Sequence, residues 1–113
     1  MHHNVSLLRS KTSSGVLPAM ATPLDASGYR VDLDAVPPLV DFLIAAGVKG
    51  LFAGGTTGEG ILLHPDERCA LHEASMSAIA GRVPLLVHVG TNTTEDTLSL
   101  ATHAGSLGVD GVV

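Results

Sequence analysis

Four short apolar runs recur along the chain: VLPAMA (16–21), KGLFAG (49–54), PLLVHV (84–89) and VDGVV (109–113). Longer segments with helical periodicity lie between them. This alternation restricts the fold more than any other feature. A strand covered on both faces reads as a continuous apolar run rather than an alternating one. Parallel strands joined by helices then define an α/β fold in the order βαβαβαβ. Periodicity leaves an open doubly wound sheet and a closed barrel as alternatives.

The intervening helices carry their own signals. Leu39, Val40, Leu43 and Ile44 recur at the spacing of one buried helix face, and Gly47 stands where a C-terminal cap glycine belongs. Pro37 and Pro38 must lie in the first turn, because an interior proline breaks a helix, and that favours Asp34 over Asp32 as N-cap. The second helix is expected to start at Pro65, with Asp66 and Glu67 on the positive end of its dipole. It should run to about Ala80 and bury Ala70, Leu71, Ala74 and Ala78. The third follows Thr93 or Thr94, each able to cap it, with Glu95 and Asp96 in its first turn. Leu98, Ala101, Ala104 and Leu107 form its face, and Gly108 ends it.

Composition excludes several functions. With 45% hydrophobic and 15% charged residues, the chain has ample material for a core, so disorder is not expected. The net charge of −5 and scattered basic residues oppose nucleic-acid binding, and the absence of Trp opposes base stacking. No segment approaches the ~20 apolar residues of a membrane span. The polar stretch MHHNVSLLRSKTSSG has no apolar secretion core, and His2 and His3 are too few for an affinity tag. Residues 1–14 read as a mobile polar leader and 15–113 as the folded domain. Cys69, the single cysteine, has no internal disulfide partner, and the default location is cytoplasmic.

The glycine-rich stretch FAGGTTGEG (52–60) carries the chemistry. Gly54 and Gly55 fall at the carboxyl end of the second run, where parallel α/β folds bind ligands. Thr56 and Thr57 would present two hydroxyls and two backbone N–H groups there, donors suited to a carboxylate or oxyanion. The competing reading is a tight turn whose threonines bond their own backbone. No Gly-x-Gly-x-x-Gly follows the first run, and the loop lacks the Gly-Lys-Ser/Thr ending of a P-loop. An unrelated phosphate-binding domain is therefore a distant third reading.

The run GTTGEG (55–60) resembles the Gly-Thr-Thr-Gly-Glu motif of the dihydrodipicolinate synthase and N-acetylneuraminate lyase family. Segments 15–32, 62–68 and 84–113 resemble that family's first strand with its Thr-Pro and following loop, the entry to its second helix, and its third strand, third helix and fourth strand. The resemblance implies a (β/α)8 TIM barrel, of which this chain supplies the first three βα units and the fourth strand. It implies a Schiff-base lyase or synthase that joins pyruvate or a similar 2-oxo acid to an aldehyde, without metal or organic cofactor. Thr57, with Thr56 and Gly58, would bind the carboxylate, and Thr56 would relay protons with tyrosines. Thr-Thr in place of Ser-Thr leans towards the synthase branch. Family members are commonly homotetramers, so a homo-oligomer is implied for the full-length form.

A complete barrel takes ~250 residues. The family's Schiff-base lysine, on the sixth strand, and its principal tyrosine, near the fifth, have no counterpart in these 113 residues. Lys11 lies in the leader. Lys49 opens the second strand, ~15 Å from the loop at ~3.3 Å per residue. This favours the alternative of a non-catalytic half barrel that binds a carboxylate or a partner chain. Tyr29 reads as a packing residue and Glu59 as a structural carboxylate bonding the loop. His64, His72, His88 and His103 lack metal-ligand spacing, and His88 reads as a satisfied core or layer histidine. Cys69 reads as a small buried residue. Asn92, Thr93 and Thr94 read as a helix cap at the mouth of the third strand.

Overall fold

A computed structural model describes residues 3–113, so Met1 and His2 lie outside the described residues. Helix α1 (His3–Thr12) precedes an extended segment over 16–20; then come α2 (Val36–Ala45), strand β1 (Leu51–Ala53), α3 (Pro65–Ile79), β2 (Leu85–Val87), α4 (Thr94–Leu107) and β3 (Gly111–Val112). The strands are parallel in the order β1-β2-β3, with Leu51 opposite Leu85, Ala53 opposite Val87, and Val87 opposite Val112. Parallel strands joined by helices are the α/β order that the alternation of runs and helices anticipates.

The first apolar run departs from a regular strand. It runs parallel to β1 through a single bridge from Ala19 to Phe52, with Met20 N–H donating to Phe52 O at 2.8 Å. Pro18 accepts from Phe52 N–H but has no N–H to return, so the ladder is interrupted there. Residues 3–12 of the expected leader form α1, which buries no side chain.

One layer of the core lies between sheet and helices. Leu51 and Ala53 of β1 and Leu85 and Val87 of β2 are fully buried. They meet Val36 and Val40 of α2, Leu71 and Ile79 of α3, and Leu100 and Ala104 of α4. The helix faces differ in part from expectation. On α3 the buried residues are Arg68, Leu71, His72, Ser75 and Ile79, while Ala70, Ala74 and Ala78 are half-buried flanks. On α4 Leu98 is exposed and Leu100 takes the core position.

The caps follow the same local rules with one correction. Asp32, not Asp34, caps: it has extended backbone and its carboxylate accepts from Ala35 N–H, closing the 3-10 turn Leu33–Ala35 that leads into α2. Ala35, at the start of α2, makes no side-chain cap bond. His64 caps α3 by accepting from Asp66 N–H, and Thr93 caps α4 by accepting from Asp96 N–H. Gly108 closes α4 in the left-handed region. Arg82 beyond α3 pairs with Asp41 of α2 at 2.6 Å, and His103 of α4 reaches Glu73 of α3 at 2.8 Å.

The other face of the sheet is thinly covered. Phe52 and Leu86 point there and are half-buried, and Val112 and Val113 are about half exposed beside the open edge of β3. An unpaired strand edge next to apolar side chains templates association. The 113-residue chain expressed by itself is expected to self-associate or to need a partner that covers β3. Sedimentation that shows a soluble monomer with one cooperative melting transition would contradict this.

Candidate functional site

The loop Gly54–Gly60 turns back on itself directly after β1. Gly54 adopts φ +72°, which favours glycine, and Glu59 N–H and Gly60 N–H donate to the carbonyls of Thr56 and Gly55 at 3.0 and 3.1 Å. A β-carbon at Gly60 would collide with the Gly54 carbonyl, so the turn closes only with glycine there. Thr22, buried at the end of the first run, donates its hydroxyl to Gly58 O at 2.6 Å and holds the loop from beneath.

This closure leaves a specific set of donors unused. Thr56 and Thr57 are exposed at the carboxyl end of β1, as the sequence reading requires. Among the described residues, neither hydroxyl has a hydrogen-bond partner, and neither do the N–H groups of Thr56, Thr57 and Gly58. The competing expectation, threonines bonding their own backbone, is therefore not what the fold contains. Consecutive free N–H groups in a turn form a concavity that attracts anions.

Glu59 departs from its expected role. It is exposed, in the left-handed region at φ 55°, and its carboxylate bonds no described residue. Glu67 bonds a different segment, accepting from Val31 N–H at 2.6 Å and approaching Arg30 at 3.4 Å. Tyr29 is 85% exposed rather than packed, and borders a cleft of about 510 Å³ with Arg30, His64, Asp66 and Glu67. That cleft does not include Thr56 or Thr57, so its size is no argument for chemistry there. Asn92 is exposed, while Thr93 caps α4 and Thr94 begins it.

Beneath the mouth lies a polar stripe that sequence reasoning missed. Arg68 is fully buried on α3 and donates to Gly90 O at 2.7 Å, to His88 O at 2.7 Å and to His88 Nδ1 at 3.0 Å. His72 lies one turn on, with Nε2 3.3 Å from where a β-carbon of Gly54 would sit. Both His72 ring nitrogens and the Ser75 hydroxyl are buried without partners. The signal was the helical period itself: from Leu71 and Ile79 it places 68, 72 and 75 on the same stripe. Burial, reinforced by Arg68, His103 and His88, pushes the His72 imidazole down to about 4, so it is neutral near pH 7. Burial, with Arg68, also lowers that of His88. Burial raises the Cys69 thiol, with Glu73 and Asp66 adding to it, which fits an unreactive residue.

Lys49 stands before β1, its N–H bonded to Val16 O and its side chain against Gly15, at the end of the sheet away from Thr56 and Thr57. It shares a cleft of about 430 Å³ with Lys11 and Arg82. No group of three or more potential metal ligands occurs among the described residues, and no helix there is long and apolar enough to cross a membrane.

The arrangement is a parallel βα section with a glycine-rich turn after its second strand position. Comparison with known proteins makes the assignment specific. The model of the dihydrodipicolinate synthetase family matches residues 12–113, and the chain belongs to that family. The 4-hydroxy-tetrahydrodipicolinate synthase 2 of Halalkalibacterium halodurans is 45% identical over 98 residues, which are 87% of this chain and 33% of that protein. Among solved structures, N-acetylneuraminate lyase from Mycoplasma synoviae superposes with a TM-score of 0.86 at 32% identity, over 92% of this chain and 36% of that one. YagE, an Escherichia coli prophage protein solved in complex with pyruvate, gives 0.82 at 36% identity, over 87% and 33%. The chain thus spans about a third of the length of the relatives it matches.

Two outcomes test the site's construction. Gly60→Ala is expected to cost about 3 kcal/mol through overpacking against Gly54, read as a lowered denaturation midpoint. The depressed His72 has a pH consequence with a defined sign. The unfolded chain takes that proton first, near 6.5, and the folded one only near 4. Stability is therefore intact above pH 6.5 and falls as pH drops towards 4, by roughly 3 kcal/mol at most from this residue. Denaturation between pH 7 and 4 should show the fall, and His72→Gln should reduce it. An equal slope in the variant would contradict the assignment.

Proposed function

We propose that this chain supplies the carboxylate-binding portion of a Schiff-base-forming, aldolase-type lyase or synthase, and that its substrate is pyruvate or a similar 2-oxo acid with an aldehyde as partner. The observation that carries the reading is the set of unused donors on the turn: the hydroxyls of Thr56 and Thr57 and the N–H groups of Thr56, Thr57 and Gly58. They lie on consecutive residues of the loop directly after β1. The pyruvate bound to YagE supports a 2-oxo acid as ligand.

In this reading Thr57 and the Gly58 amide hold the carboxylate, and neutral donors suit the task because they fix the anion without transferring a proton to it. Thr56, adjacent and exposed, receives and passes on a proton as bonds to the neighbouring carbon form or break. The nucleophilic lysine comes from outside these residues, since Lys11 and Lys49 lie away from the turn. The same observation favours a second reading, a carboxylate-binding half barrel without turnover. A synthase preference, in a cytoplasmic homo-oligomer, rests on the Thr-Thr pair and on relatives such as the 45% identical synthase.

Borohydride reduction of the intact natural protein with isotope-labelled pyruvate separates the two. A covalent adduct is expected from the lyase, and its absence would leave only binding. Thr57→Val is expected to weaken pyruvate about 10-fold or more, the worth of a hydrogen bond to a charged group. Unchanged affinity in that variant would remove Thr57 from the clamp.

A further inference from the structure

His88 occupies a place that the carboxylate clamp does not use. Its N–H donates to Ala53 O at 3.0 Å, so it stands beside the end of β1, level with the start of the Thr56–Gly58 turn. It alternates from the buried Leu85 and Val87 to the face shared by Phe52 and Leu86. Its ring meets the Phe52 ring edge-on with centroids 6.3 Å apart. The Phe52 ring in turn lies over Gly55, where a β-carbon would come within 2.7 Å of it. Phe52 therefore bridges His88 to Gly55, at the start of the threonine turn.

The protonation pattern of this imidazole follows from its partner. A guanidinium only donates, so the 3.0 Å contact from Arg68 requires Nδ1 to accept. The ring proton is then on Nε2. Arg68 cannot swing away, because it is buried and also donates to His88 O and Gly90 O. The Nε2 edge passes over Gly90, where a β-carbon would stand 2.9 Å from it. It has no partner among the described residues, yet it is absent from the fully buried unpartnered atoms. A half-buried ring with one nitrogen pinned and the other reachable is a fixed donor aimed at an incoming group.

We propose that His88 Nε2–H donates a hydrogen bond to a hydroxyl or carbonyl oxygen of the aldehyde partner, with Arg68 as the positioning residue that holds its tautomer. This rests on the 2-oxo acid reading above. A hydrogen bond that a site expects from a substrate oxygen discriminates strongly, because a substrate without that oxygen leaves a half-buried donor unpaired.

The test uses the intact natural protein, labelled with 15N-histidine and saturated with pyruvate, and DL-glyceraldehyde as the hydroxyaldehyde probe. The His88 ring is expected as the Nε2–H tautomer near pH 7, and glyceraldehyde should shift its Nε2 signal. His88→Phe should weaken glyceraldehyde about 10-fold and pyruvate by less, while His88→Gln, which keeps an N–H at similar reach, should retain most of the affinity. A ring protonated on Nδ1, or an Nε2 signal indifferent to glyceraldehyde, overturns the proposal. Where the same protein forms the borohydride adduct with pyruvate, that failure belongs to His88 alone; without the adduct, the Schiff-base reading fails and takes this proposal with it.

Discussion

A single buried guanidinium ties the helix layer to the mouth of the sheet. Among the described residues Arg68 has no carboxylate partner, and it donates instead to two carbonyls at the end of β2 and to His88. Burying an unpaired charge costs several kcal/mol. Three charge-assisted hydrogen bonds offset much of that cost and place α3 at one height against the strand ends. Everything at the mouth takes its position from that height. His72, one turn along, comes to rest under Gly54, and His88 is held in one tautomer.

The turn over this support is built by exclusion rather than by bonding. Gly54, Gly58 and Gly60 let the backbone fold so closely that only Glu59 and Gly60 find carbonyl partners within it. Among the described residues Thr22 supplies the one side-chain tether of the turn, at Gly58. The donors of Thr56, Thr57 and Gly58 are left over. Thr56 and Thr57 are exposed, so their donors are open to water or to a ligand. Placing them at the carboxyl end of a parallel strand is how barrels separate binding from stability.

Much of this was legible in the residues. The alternation of apolar runs and capped helices yielded the element order, and Pro65, Thr93 and Gly108 marked helix ends where the fold has them. GTTGEG located the turn, and its family resemblance is matched by the family assignment over residues 12–113. Three things were not legible. Pro18 breaks the first run's ladder, because a missing N–H outweighs apolar composition. Asp32 caps ahead of the prolines because a 3-10 turn intervenes, and hydropathy carries no trace of it. The buried face of α3 was read from its alanines, whereas Arg68, His72 and Ser75 fill it. Polar residues on a core stripe are invisible to hydropathy and visible only to phase, once Leu71 and Ile79 are taken as its anchors.

Under the proposed function, the turn after β1 binds the carboxylate of a 2-oxo acid. Amide NMR of the intact protein during titration with pyruvate, and separately with inorganic phosphate, tests it most directly. Saturable shifts of the Thr56, Thr57 and Gly58 amides are expected with pyruvate, and much weaker ones with phosphate at equal concentration. Amides indifferent to pyruvate, or answering to phosphate alone, would contradict it and return the turn to a generic anion site.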